Sequence, residues 1–207
     1  MAHGNPLRPT PHQPLEGLPS LAMPEIPQHA RRVFQGILFD VYQWEQALFD
    51  GSSTTFEAVR RVPTVQILAT TSDDRLILLR EQQPFVGSFV AVPGGRVERG
   101  KTPEEAVRQE LLEELGMEPG ELLLWQERRF STSLQWVSYD YIARRCVQVQ
   151  EPEQEPGERI EPFFVSFEEF LERVEGPGFR NRDLTERLFR MRYTAGELDR
   201  LRNLLFA

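Results

Sequence analysis

Residues 93–117 constrain the chain more than any other stretch: Pro93-Gly-Gly-Arg-Val-Glu-Arg-Gly-Lys-Thr-Pro-Glu-Glu-Ala-Val-Arg-Gln-Glu-Leu-Leu-Glu-Glu-Leu-Gly-Met117. A glycine loop leads into one well-marked helix. Thr102 suits the N-cap, and Pro103 suits the first helical position, where its missing N–H costs nothing. Glu105, three residues after Thr102, completes a capping box. Gly116 is a C-terminal stop, because it takes positive φ cheaply. Inside the helix Glu110, Glu113 and Glu114 stand at i, i+3 and i+4, on one side. Each close pair of like charges costs a few tenths of a kcal/mol on a bare helix, roughly. A solvated acidic face would show the same three residues. The glycine loop ahead of them favours a site instead, and oxygen-only ligands select a hard cation such as Mg²⁺ or Mn²⁺.

The whole chain narrows the setting. Its 207 residues suit one domain with an extension, or one larger domain. A net charge of −8 makes a nucleic-acid backbone a poor partner. Cys146 is the single cysteine, so no internal disulfide can form, which fits a reducing cytoplasm. No apolar run is long enough to span a bilayer, and the N-terminus lacks a signal-peptide core, so a soluble, cytoplasmic protein away from membranes is expected. His3, His12 and His29 are the only histidines. Acid–base and metal chemistry beyond residue 30 therefore falls to carboxylates, lysine, tyrosine or water.

In order, residues 1–30 hold Pro6, Pro9, Pro11, Pro14, Pro19, Pro24 and Pro27 with few charges, which reads as an extended arm. Leu15, Leu18, Leu21 and Met23 could anchor it. Residues 31–62 read as a strand-rich section. Arg32–Tyr42 is a run of β-formers, Asp50-Gly51 is a turn, and Thr54–Arg61 is a second run. Residues 63–207 form the main domain. Val65–Ala69 and Arg75–Arg80 are strands joined at Thr71–Asp74, and Phe89–Val92 leads to the glycine loop. Leu122–Trp125, Leu134–Ile142 and Ile160–Val165 are further strands, with an acidic loop at 148–157. Ser166 caps a helix over Phe167–Val174 that Gly176-Pro-Gly178 ends. Asp183–Arg192 and Ala195–Leu205 are amphipathic helices.

The 93–117 stretch resembles the Nudix box. Gly95, Glu110, Leu111, Glu113, Glu114, Gly116 and Met117 match its positions; Lys101 stands where the box has Glu, and Gln109 where it has Arg. The resemblance implies an α/β fold, an α/β/α sandwich around a mixed sheet. It also implies hydrolysis of a nucleoside diphosphate linked to another moiety. A metal ion held by Glu110, Glu113, Glu114 and the Gly94 carbonyl would screen the anionic linkage and activate water. Arg80, Arg96 and Arg129 are candidate phosphate contacts.

Outside the box the chain resembles the ADP-ribose pyrophosphatase branch over residues 32–175. Phe34–Phe39 and Asp50-Gly51 resemble that branch's opening section, which is exchanged between two subunits; a homodimer is implied. Phe56–Arg61 resembles the segment that sets an aromatic ring and an arginine around adenine, so Phe56 and Arg61, with Arg80, are the expected substrate contacts. Gly157–Glu161 resembles the loop with a late catalytic glutamate, here Glu158, acting beside Glu110 and Glu114. Ser131–Ser133 lies where the branch has a proline, and Gln83 where it has an arginine. ADP-ribose, cleaved to AMP and ribose 5-phosphate, is the expected substrate. A nucleotide sugar, a dinucleoside polyphosphate, or a low-turnover ligand sensor are the alternatives.

Overall fold

The computed structural model describes residues 25–130, 133–154 and 156–206. The proposed anchors of the N-terminal arm, and Ser131 and Thr132, lie outside the described residues. In chain order the elements begin with β1 (Arg31–Gln35), β2 (Phe39–Ala47), β3 (Ser53–Arg61), β4 (Thr64–Thr71), β5 (Leu76–Gln83), β6 (Gly87–Ala91) and α1 (Pro103–Leu115). They continue with β7 (Met117–Glu118), β8 (Glu121–Phe130), β9 (Leu134–Gln148), β10 (Arg159–Val165), α2 (Phe167–Glu175), α3 (Arg182–Arg192) and α4 (Glu197–Phe206).

Among the described residues the strands connect in the order β1-β2-β3-β9-β4-β5-β10, with β6 on β5 and with β7 and β8 on β9. Strand β9 runs parallel to β3 and β4 and antiparallel to β8, so the sheet is mixed. Strands β4 and β5 carry the unbroken apolar runs 67–69 and 76–79 because both their faces are covered there. Val65, Ile67, Ala69, Ile77 and Leu79 pack against Val107, Leu111 and Leu115 of α1. The alternate residues Leu68, Leu76 and Leu78 pack against Phe170, Leu184, Leu188 and Leu201 of α2, α3 and α4. This is the expected α/β order of helix, sheet and helix. Among the described residues no helix is long and apolar enough to cross a membrane.

Two strand runs differ from expectation. Arg32–Tyr42 is a hairpin, not one strand: it folds back at Gly36, whose N–H donates to the Phe39 carbonyl at 2.8 Å. A Cβ at Gly36 would lie 2.7 Å from that same oxygen, so glycine permits the close approach. Strand β9 continues to Gln148, well past Ile142. The charged pair Arg144-Arg145 hides this continuation. Arg144 is buried because it bonds the Leu204 carbonyl at 2.6 Å and Glu121 at 3.0 Å. Arg145, with φ of 51°, absorbs a register irregularity against β4.

Candidate functional site

The glycine loop is zipped onto the start of β4. Val65 N–H donates to the Gly95 carbonyl and Ile67 N–H to the Pro93 carbonyl, both at 2.9 Å, while Val97 N–H donates to the Pro63 carbonyl. Gly94, between these two carbonyls, has φ of 152°, and a Cβ there would come within 2.3 Å of the Val65 carbonyl oxygen. At Gly95 a Cβ would sit 1.8 Å from a Glu110 carboxylate oxygen. The second glycine therefore makes the room that the Glu110 carboxylate fills.

Helix α1 is capped as the sequence requires. Thr102 and Glu105 form both bonds of the capping box, and Gly116 closes the helix with φ of 65°. The helix then presents Glu114 to the loop, where its carboxylate accepts the Gly94 N–H at 3.1 Å. Glu114 is buried at 6% exposure. Its pKa is driven well above the usual carboxylate value, first by burial and then by Glu110, Glu81 and Glu158; the Gly94 bond opposes this.

Glu81 belongs to this group, and sequence reasoning missed it. Leu79 and Glu81 point to the same side of β5, so the strand phase that buries Ile77 and Leu79 carries Glu81 to the α1 face. Burial and the Glu158 charge raise its pKa to about 7, against a lowering pull from Arg180. A carboxylate on the buried phase of an apolar strand is the signal that could have found it.

These carboxylates share a cleft of about 560 Å³, a normal size for a small-ligand site. Gly94, Glu110, Glu113, Glu114, Glu158 and Arg61 of the expected residues line it, as does Arg96. The Arg61 guanidinium lies 4.5 Å from the centre of the Trp136 ring, and among the described residues its buried Nε finds no hydrogen-bond partner. Arg80 stands outside, because residues 80 and 81 point to opposite faces of the strand; it pairs with Glu161 at 3.3 Å and covers the Phe163 ring. Arg129 also stands outside, paired with Glu127. Phe56 is 43% exposed on β3 and meets Trp44 edge-on, outside this chain's cleft.

The far wall comes from a segment with no local signal for it. Asn181 precedes α3 but makes no side-chain cap there. Its side chain instead accepts from Val92 N–H at 3.2 Å and donates to Gln66 at 2.8 Å. Arg180 and Asp183 flank it and line the same cleft.

The two departures from the box touch each other. Lys101 Nζ donates to Gln109 Oε1 and pairs with Glu98 at 2.6 Å. Gln109 Nε2 donates to Glu113 at 2.7 Å. The contact between loop and helix is kept, with donor and acceptor roles redistributed.

The donor set suits a hard divalent ion: a buried Glu114 whose pKa its carboxylate neighbours raise, beside a glycine cradle that brings Glu110 against the loop. Among the described residues no group of three or more His, Cys, Asp or Glu is drawn tightly enough to hold an ion by itself. Water and substrate oxygens would have to complete any shell, as is usual for Mg²⁺.

Fold and cleft together define an α/β protein whose acidic helix and glycine loop face a small-molecule-sized cavity. The NUDIX domain model matches residues 60–188, and the chain belongs to that family, which generally uses a divalent metal. It is 30% identical over 86 residues to an ADP-ribose pyrophosphatase of Bacillus subtilis, covering 41% of this chain and 46% of that protein. It is 48% identical over 59 residues to an ADP-ribose pyrophosphatase of Methanocaldococcus jannaschii, covering 28% and 34%. An 8-oxo-dGTP diphosphatase of Escherichia coli is 32% identical over 66 residues, covering 32% and 51%. The matches thus span about half or less of these relatives. The fold is similar to a crystal structure of an ADP compounds hydrolase, with TM-score 0.66, 22% identity, and coverage of 85% of this chain and 96% of that one.

Proposed function

We propose that the protein is a metal-dependent pyrophosphohydrolase that cleaves ADP-ribose to AMP and ribose 5-phosphate. The observation that carries this reading is the gathering of the Glu110, Glu114, Glu81 and Glu158 carboxylates in one cleft at the Nudix loop and helix, where the other three push the pKa of buried Glu114 upward. The relatives named as ADP-ribose pyrophosphatases support the substrate. Glu110, Glu113, Glu114 and the Gly94 carbonyl would hold Mg²⁺ or Mn²⁺. When bound, the ion supplies charge neutralisation for the diphosphate and acidifies a water. Glu158 takes up the proton of the attacking water. Arg61, whose Nε finds no partner among the described residues and whose face lies on Trp136, holds a phosphate oxygen.

The protein acts as a homodimer in the cytoplasm. Val33, Phe34, Ile37 and Phe39 are exposed on β1, β2 and their turn, which leaves an apolar surface for a second copy. Section 31–62 then supplies Phe56 to the base pocket of the partner's cleft. The deciding experiment is a screen of nucleoside diphosphate compounds with products resolved, with and without Mg²⁺. Turnover of a nucleotide sugar with ADP-ribose inert would remove the substrate assignment. Tight binding without any metal-dependent product would remove the enzyme and leave a sensor.

A further inference from the structure

Gln83 ends β5 in phase with Glu81, on the cleft side. Its side chain meets three charged groups. Nε2 donates to Glu158 Oε1 at 2.9 Å and to Glu81 Oε2 at 3.4 Å. Oε1 accepts from Arg180 Nη1 at 3.4 Å. Only one amide orientation serves all three, because carboxylates accept and a guanidinium donates. A flipped amide would set its oxygen against two carboxylates and its NH₂ against a cation.

Arg180 is itself fixed by the fold. Its backbone N–H donates to the Val90 carbonyl at 2.8 Å, and Val90 N–H donates to the Gly178 carbonyl at 2.9 Å. Its guanidinium lies 4.6 Å from the centre of the Phe89 ring. Glu158, by contrast, sits on the acidic loop just before β10. Among the described residues the Gln83 amide is the one hydrogen-bond donor to its carboxylate. A group on a loop that must meet a reacting atom needs such an anchor on a rigid strand.

We propose that Gln83 is a positioning residue: its amide holds the Glu158 carboxylate over the cleft, and Arg180 sets the direction of that amide. The proposal rests on the reading of Glu158 as a catalytic group. The test is steady-state kinetics of the full chain with Mg²⁺, on the best substrate from the screen, for Gln83→Leu, Glu158→Gln, the double variant, Arg180→Lys and Arg180→Met. Gln83→Leu should lower kcat about 10-fold and leave KM within about 2-fold. In the Glu158→Gln background it should lower kcat no further, because the route it acts through is already gone. Arg180→Lys should keep most of the wild-type kcat, and Arg180→Met should fall towards Gln83→Leu.

An unchanged kcat in Gln83→Leu overturns the proposal while leaving Glu158 its role. So does a rise in KM at constant kcat, which would make Gln83 a substrate contact, or fully additive losses in the double variant. Wild-type turnover in Glu158→Gln overturns both the catalytic reading of Glu158 and the relay. If Gln83→Leu melts early, the isosteric Gln83→Glu replaces it; it turns the donor into another carboxylate and should lower kcat at least as far.

Discussion

Glu114 and Asp140 are buried to almost the same degree, 6% and 5% exposed, on opposite faces of the sheet. Asp140 lies against α3, where it accepts from Arg128 at 2.8 Å and Arg187 at 3.0 Å. Asp183 joins the same group through Arg128. At Asp140, the upward push of burial on the pKa is opposed by both guanidiniums. At Glu114 it is compounded by Glu110, Glu81 and Glu158, and a single backbone N–H opposes it. One buried charge is neutralised by the chain itself and ties α3 and β8 to the sheet. The other is crowded by like charges, the arrangement that the proposed metal site would use.

This contrast makes opposite predictions for isosteric changes. Glu114→Gln should lower turnover about 1000-fold, because charge at this position matters most in the transition state. In EDTA it should leave the melting temperature equal or higher, since it removes a repulsion. Asp140→Asn should do the reverse. It takes the paired carboxylate from Arg187 and leaves Arg128 with Asp183 alone, costing about 3 kcal/mol of stability, while the folded fraction keeps most of its turnover. Calorimetry beside kinetics checks both. If Glu114→Gln is as destabilising as Asp140→Asn, the contrast is broken.

A pH series sharpens the contrast within the cleft. Glu81 faces Glu114 from α1, Glu158 from the acidic loop and Arg180 from the segment before α3. Its folded pKa of about 7 lies above the ordinary 4.5. Between those values the folded state binds more protons than the unfolded state. Stability of the metal-free protein therefore falls as pH rises through this window, by an order of 2 kcal/mol from this group. Glu81→Gln should flatten the slope, and Mg²⁺ should oppose it increasingly above pH 7. A melting temperature that rises from pH 5 to pH 8 in EDTA, or a slope untouched by Glu81→Gln, would refute the account.

The two faces also differ in how much the sequence revealed. Helix α1, its capping box, its Gly116 stop and the placement of Glu110, Glu113 and Glu114 follow from local rules, and the structure shows them with little shift in boundary. The same holds for α2 after Ser166. Arg80 was a natural phosphate candidate by type, but strand phase sends it to the other face. Glu81, next to it, was hidden as one more charge among many. Arg180 and Asn181 could not have been found locally. They reach the cleft because Gly178 and Arg180 bond to β6, some ninety positions back along the chain. The Asp140 network was equally silent, since its members lie on β8, β9 and α3.

Phe56 extends the comparison beyond one subunit. It is exposed and outside its own cleft, so a role in base binding requires a partner copy. Phe56→Ala should raise KM about 10-fold with kcat little changed, for a stacking contribution of about 1.4 kcal/mol. Full activity from a species that sedimentation shows to be monomeric would remove the shared pocket.

The smallest expected effect concerns Lys101 and Gln109, a pair exposed enough that neither extreme of the buried contrast applies. In the usual box an acid and an arginine occupy these positions and can pair. Here Lys101 donates to Gln109, and Gln109 donates onward to Glu113, so one polar chain links the loop, the helix and the Glu113 carboxylate. Glu98 neutralises the lysine, which offsets the unfavourable placement of a cation at a helix start. Because both members differ from the box together, no charge is left without a partner. Lys101→Glu alone would set a carboxylate against Glu98 and leave Gln109 without its donor. Gln109→Arg alone would set two cations together. The double change restores the opposite pair of the usual box, acid at 101 and arginine at 109. A double-mutant cycle should show the singles neutral or harmful, and the pair better than their sum by about 0.5–1 kcal/mol in stability. Turnover should follow the same sign, because Glu113 is oriented through Gln109. Additive effects on both readouts would show that the contact between Lys101 and Gln109 carries no coupling, and that α1 holds its carboxylates through the Gly94 and Gly95 cradle alone.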